Sequence, residues 1–149
     1  MRVLIQRVTS ANVVVDEKVT GAIDHGLLLL VAITHADTEA VEDRLADKII
    51  KLRIFSDEHG LMNKSLLDVA GGLLAVSQFT LYADAKKGNR PSYTDAARPE
   101  QASPAFDRFV GKLSARIGKP VSTGRFAADM KVSLINDGPV TIWLDSATL

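Results

Sequence analysis

The feature that most constrains this chain is an unbroken apolar run at residues 27–33, Leu-Leu-Leu-Leu-Val-Ala-Ile, bounded by His25-Gly26 and Thr34-His35. A strand with one wet face alternates apolar and polar residues, and this run does not. It is also about a third of the length needed to cross a membrane. It suits a central strand covered on both faces, so the fold must place apolar material on two sides of a sheet. The chain of 149 residues, 46% hydrophobic and 24% charged, holds enough material for one such domain.

The flanking segments supply the neighbours. Val3 and Ile5 open a β pattern, Val13-Val14-Val15 continues it, and residues 19–23 follow a polar Asp16-Glu17-Lys18 turn, as a hairpin requires. Residues 37–51 read as a helix, with Asp37 or Thr38 as cap and Val41, Leu45, Ile49 and Leu52 as its stripe. Residues 52–55 and 73–79 read as strands. Ser103 is placed to cap a second helix with Pro104 at its first position, an apolar face from Phe106 to Ile117, and Gly118 as its stop. Residues 130–135 and 140–144 read as two closing strands around Asn136-Asp137-Gly138-Pro139. The expected fold class is therefore α/β: a compact single domain, residues 1–149, with mixed or antiparallel sheets and two main helices.

Composition excludes several chemistries. Lys+Arg and Asp+Glu are each 18, so bulk charge does not drive nucleic-acid binding. There is no cysteine, hence no disulfide frame, thiol nucleophile or cysteine zinc site. No phosphate loop, G-x-S-x-G elbow or H-E-x-x-H is present. His25, His35 and His59 lack metal-ligand spacing and read as solvated loop residues. The opening residues, interrupted by Arg2 and Arg7, do not form a signal-peptide core, so a soluble cytoplasmic protein is expected.

Two segments remain as chemical candidates. Ser77-Gln78-Phe79-Thr80 ends a buried strand, where hydroxyls, an amide and freed backbone N–H groups reach one rim. Alternation would put Ser77, Phe79 and Leu81 on one face and Gln78 and Thr80 on the other. Asn136-Asp137-Gly138-Pro139-Val140-Thr141 is the second. Taken alone, each reads first as structure, a β-forming strand end and a turn. A polar, irregular stretch at 84–99 carries Lys86, Lys87, Arg90 and Arg98 and has the look of a functional loop.

Together these segments closely resemble the D-aminoacyl-tRNA deacylases. The opening Met1-Arg2-Val3-Leu4-Ile5-Gln6-Arg7-Val8, Lys87-Gly88-Asn89-Arg90-Pro91-Ser92, Thr123-Gly124-Arg125-Phe126 and Ala128-Asp129-Met130 share the resemblance, which covers essentially the whole chain. Ala127 stands where that family often has glycine, which bears on the backbone beside Phe126.

The resemblance implies hydrolysis of the ester joining a D-amino acid, or glycine mischarged on a non-cognate tRNA, to the terminal adenosine of tRNA. It implies a homodimer with active sites at the subunit interface, and neither metal nor organic cofactor. Ser77, Gln78, Phe79 and Thr80 of one subunit would face Gly138 and Pro139 of the other, joined by a cis bond that helps to reject L-amino acids. Asn136, Met130 and Phe126 would complete the substrate site. Lys86, Lys87, Arg90 and Arg98 are candidate contacts to the tRNA acceptor end. An RNA-binding module without catalysis, a hydrolase of small D-aminoacyl esters and a purely structural dimer are the rival readings.

Overall fold

The computed structural model describes residues 1–149. Its first strand, β1 (Arg2–Val15), organises everything else. Its second half pairs antiparallel with β2 (Lys18–Ile23), and its first half with β3 (Gly26–Ala32). Asp16 and Glu17 between β1 and β2 have φ of 48° and 65°, the left-handed pair of a tight hairpin turn. After β3 come α1 (Glu39–Lys51) and a small hairpin of β4 (Phe55–Ser56) and β5 (Met62–Lys64). The chain then returns as β6 (Gly72–Ser77), parallel to β3, which in turn pairs in parallel with β7 (Ser122–Thr123). Between β6 and β7 lie a 3₁₀ turn (Phe79–Tyr82) and α2 (Pro99–Ile117). The last strand, β8 (Lys131–Asp145), runs antiparallel along the other edge of β1.

The sheet curls until β2 lies against β7. A Cβ on Gly21 would sit 2.4 Å from the Thr123 carbonyl oxygen, so only glycine permits this approach. The curl explains the apolar run in β3. Leu27, Leu29 and Val31 join the larger core under α1 and α2, with Leu45, Ile49, Phe106, Phe109 and Leu113. Leu28 faces the opposite way, into a smaller core with Val8, Val13, Leu74 and Val76. At about 25 cal/mol per Å² of apolar surface buried, both faces of β3 contribute to stability.

Several local expectations give way. The N-cap of α1 is Thr38 and makes no side-chain cap bond; the Asp37 carboxylate instead accepts the Met1 amine and the Thr34 N–H. Residues 52–54 are not strand, because Arg7 Nη1 occupies the Ile54 carbonyl at 2.6 Å. The second helix starts five residues before Ser103-Pro104, at Pro99, with Arg98 as its N-cap residue. Pro99 is as good a first residue as Pro104, and the Arg98 carbonyl accepts the N–H groups of Gln101 and Ala102 at 3.0 and 2.8 Å. Pro104 lies within the exposed start of the helix, and Gly118 ends it at φ 71°.

The two closing strands are one. β1 is long enough to template both, so β8 continues through Asn136–Pro139 and bulges instead of turning back. Gln6 pairs with Thr141 and Val8 with Asn136, leaving 137–140 looped out opposite Arg7. No helix is long and apolar enough to cross a membrane.

Candidate functional site

A pocket of about 600 Å³ opens where β6 ends. Its floor is apolar, from Val31, Ile33 and Val76 of the sheet to Ala102 and Phe106 of α2. Ser77, Gln78 and Phe79 form one rim, Tyr93 and Arg98 another, and Phe126, Ala127 and Met130 a third. Phe79 is exposed and meets Tyr93 edge to face at 5.2 Å. Phe126 rests on Phe106 with centroids 6.4 Å apart.

The expected alternation past Ser77 does not occur. The Gln78 N–H makes a last ladder bond to the Val31 carbonyl at 2.7 Å, and β7 pairs only with Leu74 and Ala75. With no neighbour left, the backbone tightens into the 3₁₀ turn. Phe79 and Thr80 are its first residues, so their N–H groups have no partner within it. The Thr80 hydroxyl accepts a hydrogen bond from Gln78 Nε2 and does not line the pocket. Arg2 fastens the turn: its Nη1 donates to the Leu81 carbonyl at 2.9 Å and its Nε to Asp145 at 2.9 Å. Its guanidinium lies 4.4 Å from the Tyr82 ring centre and 5.6 Å from that of Trp143. Burial, and then the charges of Asp37 and Asp145, push the Tyr82 phenol far up, so it stays neutral. Burial raises the Asp145 carboxyl, but the Ala147 N–H and Arg2 outweigh it and hold it below its ordinary value.

Asn136, Gly138 and Pro139 lie outside that pocket. The Gly138–Pro139 bond is cis, and Gly138 has φ 122°. The bulge is tied at its base. Asn136 Nδ2 donates to the carbonyls of Arg7 and Val140, both at 3.0 Å, replacing ladder bonds lost to the bulge. Arg7, only 10% exposed in its side chain, reaches the Asp137 carbonyl and carboxylate, both at 3.3 Å. Gly138 and Pro139 are exposed at the tip.

Lys86, Lys87 and Arg90 sit on an exposed loop closed by paired 2.8 Å bonds between Asp84 and Ser92. Arg98 is separate from them, at the pocket rim. The residues that sequence reasoning missed are Arg2 and Arg7, which fasten the rim and the bulge. The signal was there: two arginines in the otherwise apolar opening strand. His35 is tied to the Thr94 carbonyl at 2.9 Å and His25 stacks on Phe55. No group of three or more His, Asp or Glu side chains is assembled to hold a metal ion.

Comparison with known proteins bears on what this arrangement belongs to. A D-aminoacyl-tRNA deacylase of Chromobacterium violaceum is 61% identical over 146 residues, spanning 98% of this chain and 97% of that protein. One from Dechloromonas aromatica is 58% identical over the same shares. Among solved structures, a c-Myc DNA unwinding element binding protein superposes with TM-score 0.89 at 38% identity, covering 97% of this chain and 98% of that one. A probable eukaryotic D-amino acid tRNA deacylase shares the fold, with TM-score 0.83 at 16% identity over 96% and 97% of the two chains. The family model for D-Tyr-tRNA(Tyr) deacylase matches residues 4–145, and the chain belongs to that family.

Proposed function

We propose that this chain releases D-amino acids from the 3′ end of tRNA as a homodimer whose sites combine two subunits. The observation that carries the reading is the apolar pocket rimmed by Ser77, Gln78 and Phe79, in a chain of this family. An aminoacyl ester is already activated, so positioning and oxyanion stabilisation can carry the hydrolysis. The N–H groups of Phe79 and Thr80 would receive the developing oxyanion. The Thr80 hydroxyl has no histidine or carboxylate bonded to it, so it lacks a base to make it a nucleophile. The reading therefore assigns activation of water to the 2′-OH of the terminal adenosine, and leaves Thr80 to shape the site. The scheme uses no metal or organic cofactor.

Discrimination is assigned to the bulge of the second subunit. Its Gly138 and Pro139 carbonyls, on a backbone tied by Arg7 and Asn136, would face the substrate α-carbon. An L side chain would be driven into them, whereas a D side chain turns away. Glycine has no side chain to reject, so glycine on a non-cognate tRNA would also be cleaved. Phe126 and Met130 would line the substrate cavity. Lys86, Lys87, Arg90 and Arg98 would meet the acceptor end, so a small patch serves where net charge is zero. Such an enzyme works in the cytoplasm, where charged tRNA is used.

Binding of nucleic acid without chemistry is the second reading, favoured by the basic loop, but it leaves the pocket without a role. Time-resolved release of D-tyrosine and L-tyrosine from matched charged tRNAs separates the two. Rapid release of the D form alone is expected. Equal rates for both would remove the chiral assignment, and no release would leave the binding module. Equal rates on a D-tyrosyl ester of free adenosine and on the tRNA would point to a hydrolase of small esters.

A further inference from the structure

Zero net charge conceals an uneven distribution. Apart from Lys18 and Lys119, every lysine and arginine without a carboxylate within 4.0 Å belongs to one of two groups. Lys86, Lys87, Arg90 and Arg98 are the first. Arg44, Lys48, Lys51 and Arg53 are the second, and with Asp47 and Leu52 they line a shallow groove of about 470 Å³ on the outer side of α1. The Asp47 carboxylate is directed to Arg116 at 2.7 Å, so it does not neutralise the groove. Arg44 donates to the Ser146 carbonyl at 2.8 Å and keeps its full charge. Lys48 and Lys51 complement the helix dipole, but Arg44 lies too far back and Arg53 beyond the end. The acids of α1 lie elsewhere, where Glu42, Asp43 and Asp47 meet Arg108, Lys112 and Arg116 of α2.

We propose that this groove binds the phosphate backbone of the tRNA acceptor stem. The inference rests on the two-subunit reading above. Arg53 precedes Ile54, whose carbonyl holds Arg7, and Arg7 holds the bulge at Asp137. The groove therefore begins beside Gly138 and Pro139. With that bulge closed over the partner's pocket, RNA leaving the pocket passes onto the α1 groove of the bulge-donating subunit. Arg44 and Lys51 are roughly 10 Å apart along the helix, enough to meet more than one phosphate of a strand. No aromatic side chain lines the groove, so nothing there stacks on a splayed base. The chemistry is that of a duplex backbone, held without reading sequence.

The test uses the full-length triple variant Lys48→Gln/Lys51→Gln/Arg53→Gln. Uncharged tRNA is titrated by fluorescence anisotropy across a salt series, and hydrolysis is compared on D-tyrosyl-tRNA and the D-tyrosyl ester of free adenosine. Three lost phosphate contacts should make the slope of log affinity against log salt shallower by about 2 to 3. KM on the tRNA should rise about 10-fold, with turnover of the adenosine ester unchanged. Should the triple variant melt early, Arg53→Gln alone, outside the helix, should still change the slope by about 1. An unchanged slope and KM overturn the proposal and leave the groove to an acidic protein or to solvent. Equal losses on both substrates with an unchanged slope also overturn it, as a structural effect. If the wild type cleaves neither ester, the deacylase reading fails, and the anisotropy slope still decides whether the groove holds RNA.

Discussion

The rim at Ser77–Tyr82 and the bulge at Asn136–Val140 are built in opposite ways. The rim is concave, opening on an apolar pocket, and arises because a buried strand runs out of neighbours. The bulge is convex and exposed, and arises because β8 has more residues than β1 can pair. Yet both are fastened by β1: Arg2 ties the rim at Leu81, and Arg7 ties the bulge at Asp137. One strand thus sets the geometry of two surfaces that do not share a pocket within one chain. A cavity that selects by shape needs both a wall and an opposing stop, and a second copy of the chain supplies each to the other.

The sharpest way to break this comparison is to damage each region in a different chain. A Cβ on Gly138 would lie 2.9 Å from Val140 Cγ2 and 3.0 Å from Arg7 Nη2, at a φ that side chains rarely adopt. Gly138→Val should lower D-aminoacyl-tRNA hydrolysis by about 10²-fold or more, the scale of a misplaced positioning group. Ser77→Phe should do the same by filling the rim. Mixing the two after dissociation should recover up to about a quarter of wild-type activity: roughly half the dimers are mixed, each with one intact site. No recovery in mass-verified mixed dimers would mean that each site lies within one chain.

A second experiment asks what the rim contributes. With water activated by the terminal 2′-OH, the 2′-deoxy substrate should lose about 10²-fold or more, while Thr80→Ala retains substantial activity. The opposite ranking, in single-turnover rates, would restore Thr80 as the nucleophile.

How legible these regions are in sequence follows from what forms them. The covered strand at 27–33 and the stripes of α1 and α2 are readable because burial imposes a period on composition. The Asp16-Glu17 turn is readable because its neighbours alternate. The rim is only half readable: Ser77 to Thr80 mark a strand end, but the 3₁₀ turn depends on where β3 and β7 stop. The bulge is misread as a turn because nothing local says that β1 is long enough to pair both halves of β8. Arg2 and Arg7 escape for the same reason, since their partners lie 79 and 130 residues away.

The tethers themselves predict a smaller effect. Arg2→Met removes the bond to Leu81 and the pair with Asp145, and should lower activity about 10-fold by loosening the rim, within the range for lost positioning. In mixed dimers it should complement Gly138→Val and fail to complement Ser77→Phe. Acid should act on the same tether. The folded Asp145 carboxyl is held below its ordinary 3.8, so its contribution to stability is present above that value. It is lost as pH falls through the folded value. Thermal melts of wild type and Arg2→Met should therefore converge in part below about pH 4. A constant gap down to pH 2 would show that Arg2 acts through the Tyr82 and Trp143 rings and not through Asp145.

The smallest expected effect lies beside the rim, at Ala127. It lines the pocket with φ 63°, the left-handed region where an L side chain costs about 1–2 kcal/mol. Ala127→Gly removes that strain but frees the unfolded chain, which opposes it by about 0.4–1 kcal/mol. The balance is a gain of up to about 1 kcal/mol, read as a higher denaturation midpoint at unchanged m-value. Hydrolysis should change little, because the exposed Ala127 methyl holds neither the rim nor the bulge. A loss of stability would mean that the methyl packs against the partner subunit. A marked change in the rate on D-aminoacyl-tRNA, with stability unaltered, would mean that the pocket wall beside Phe126 moves during turnover. The rim could not then be treated as a fixed surface set against a fixed bulge.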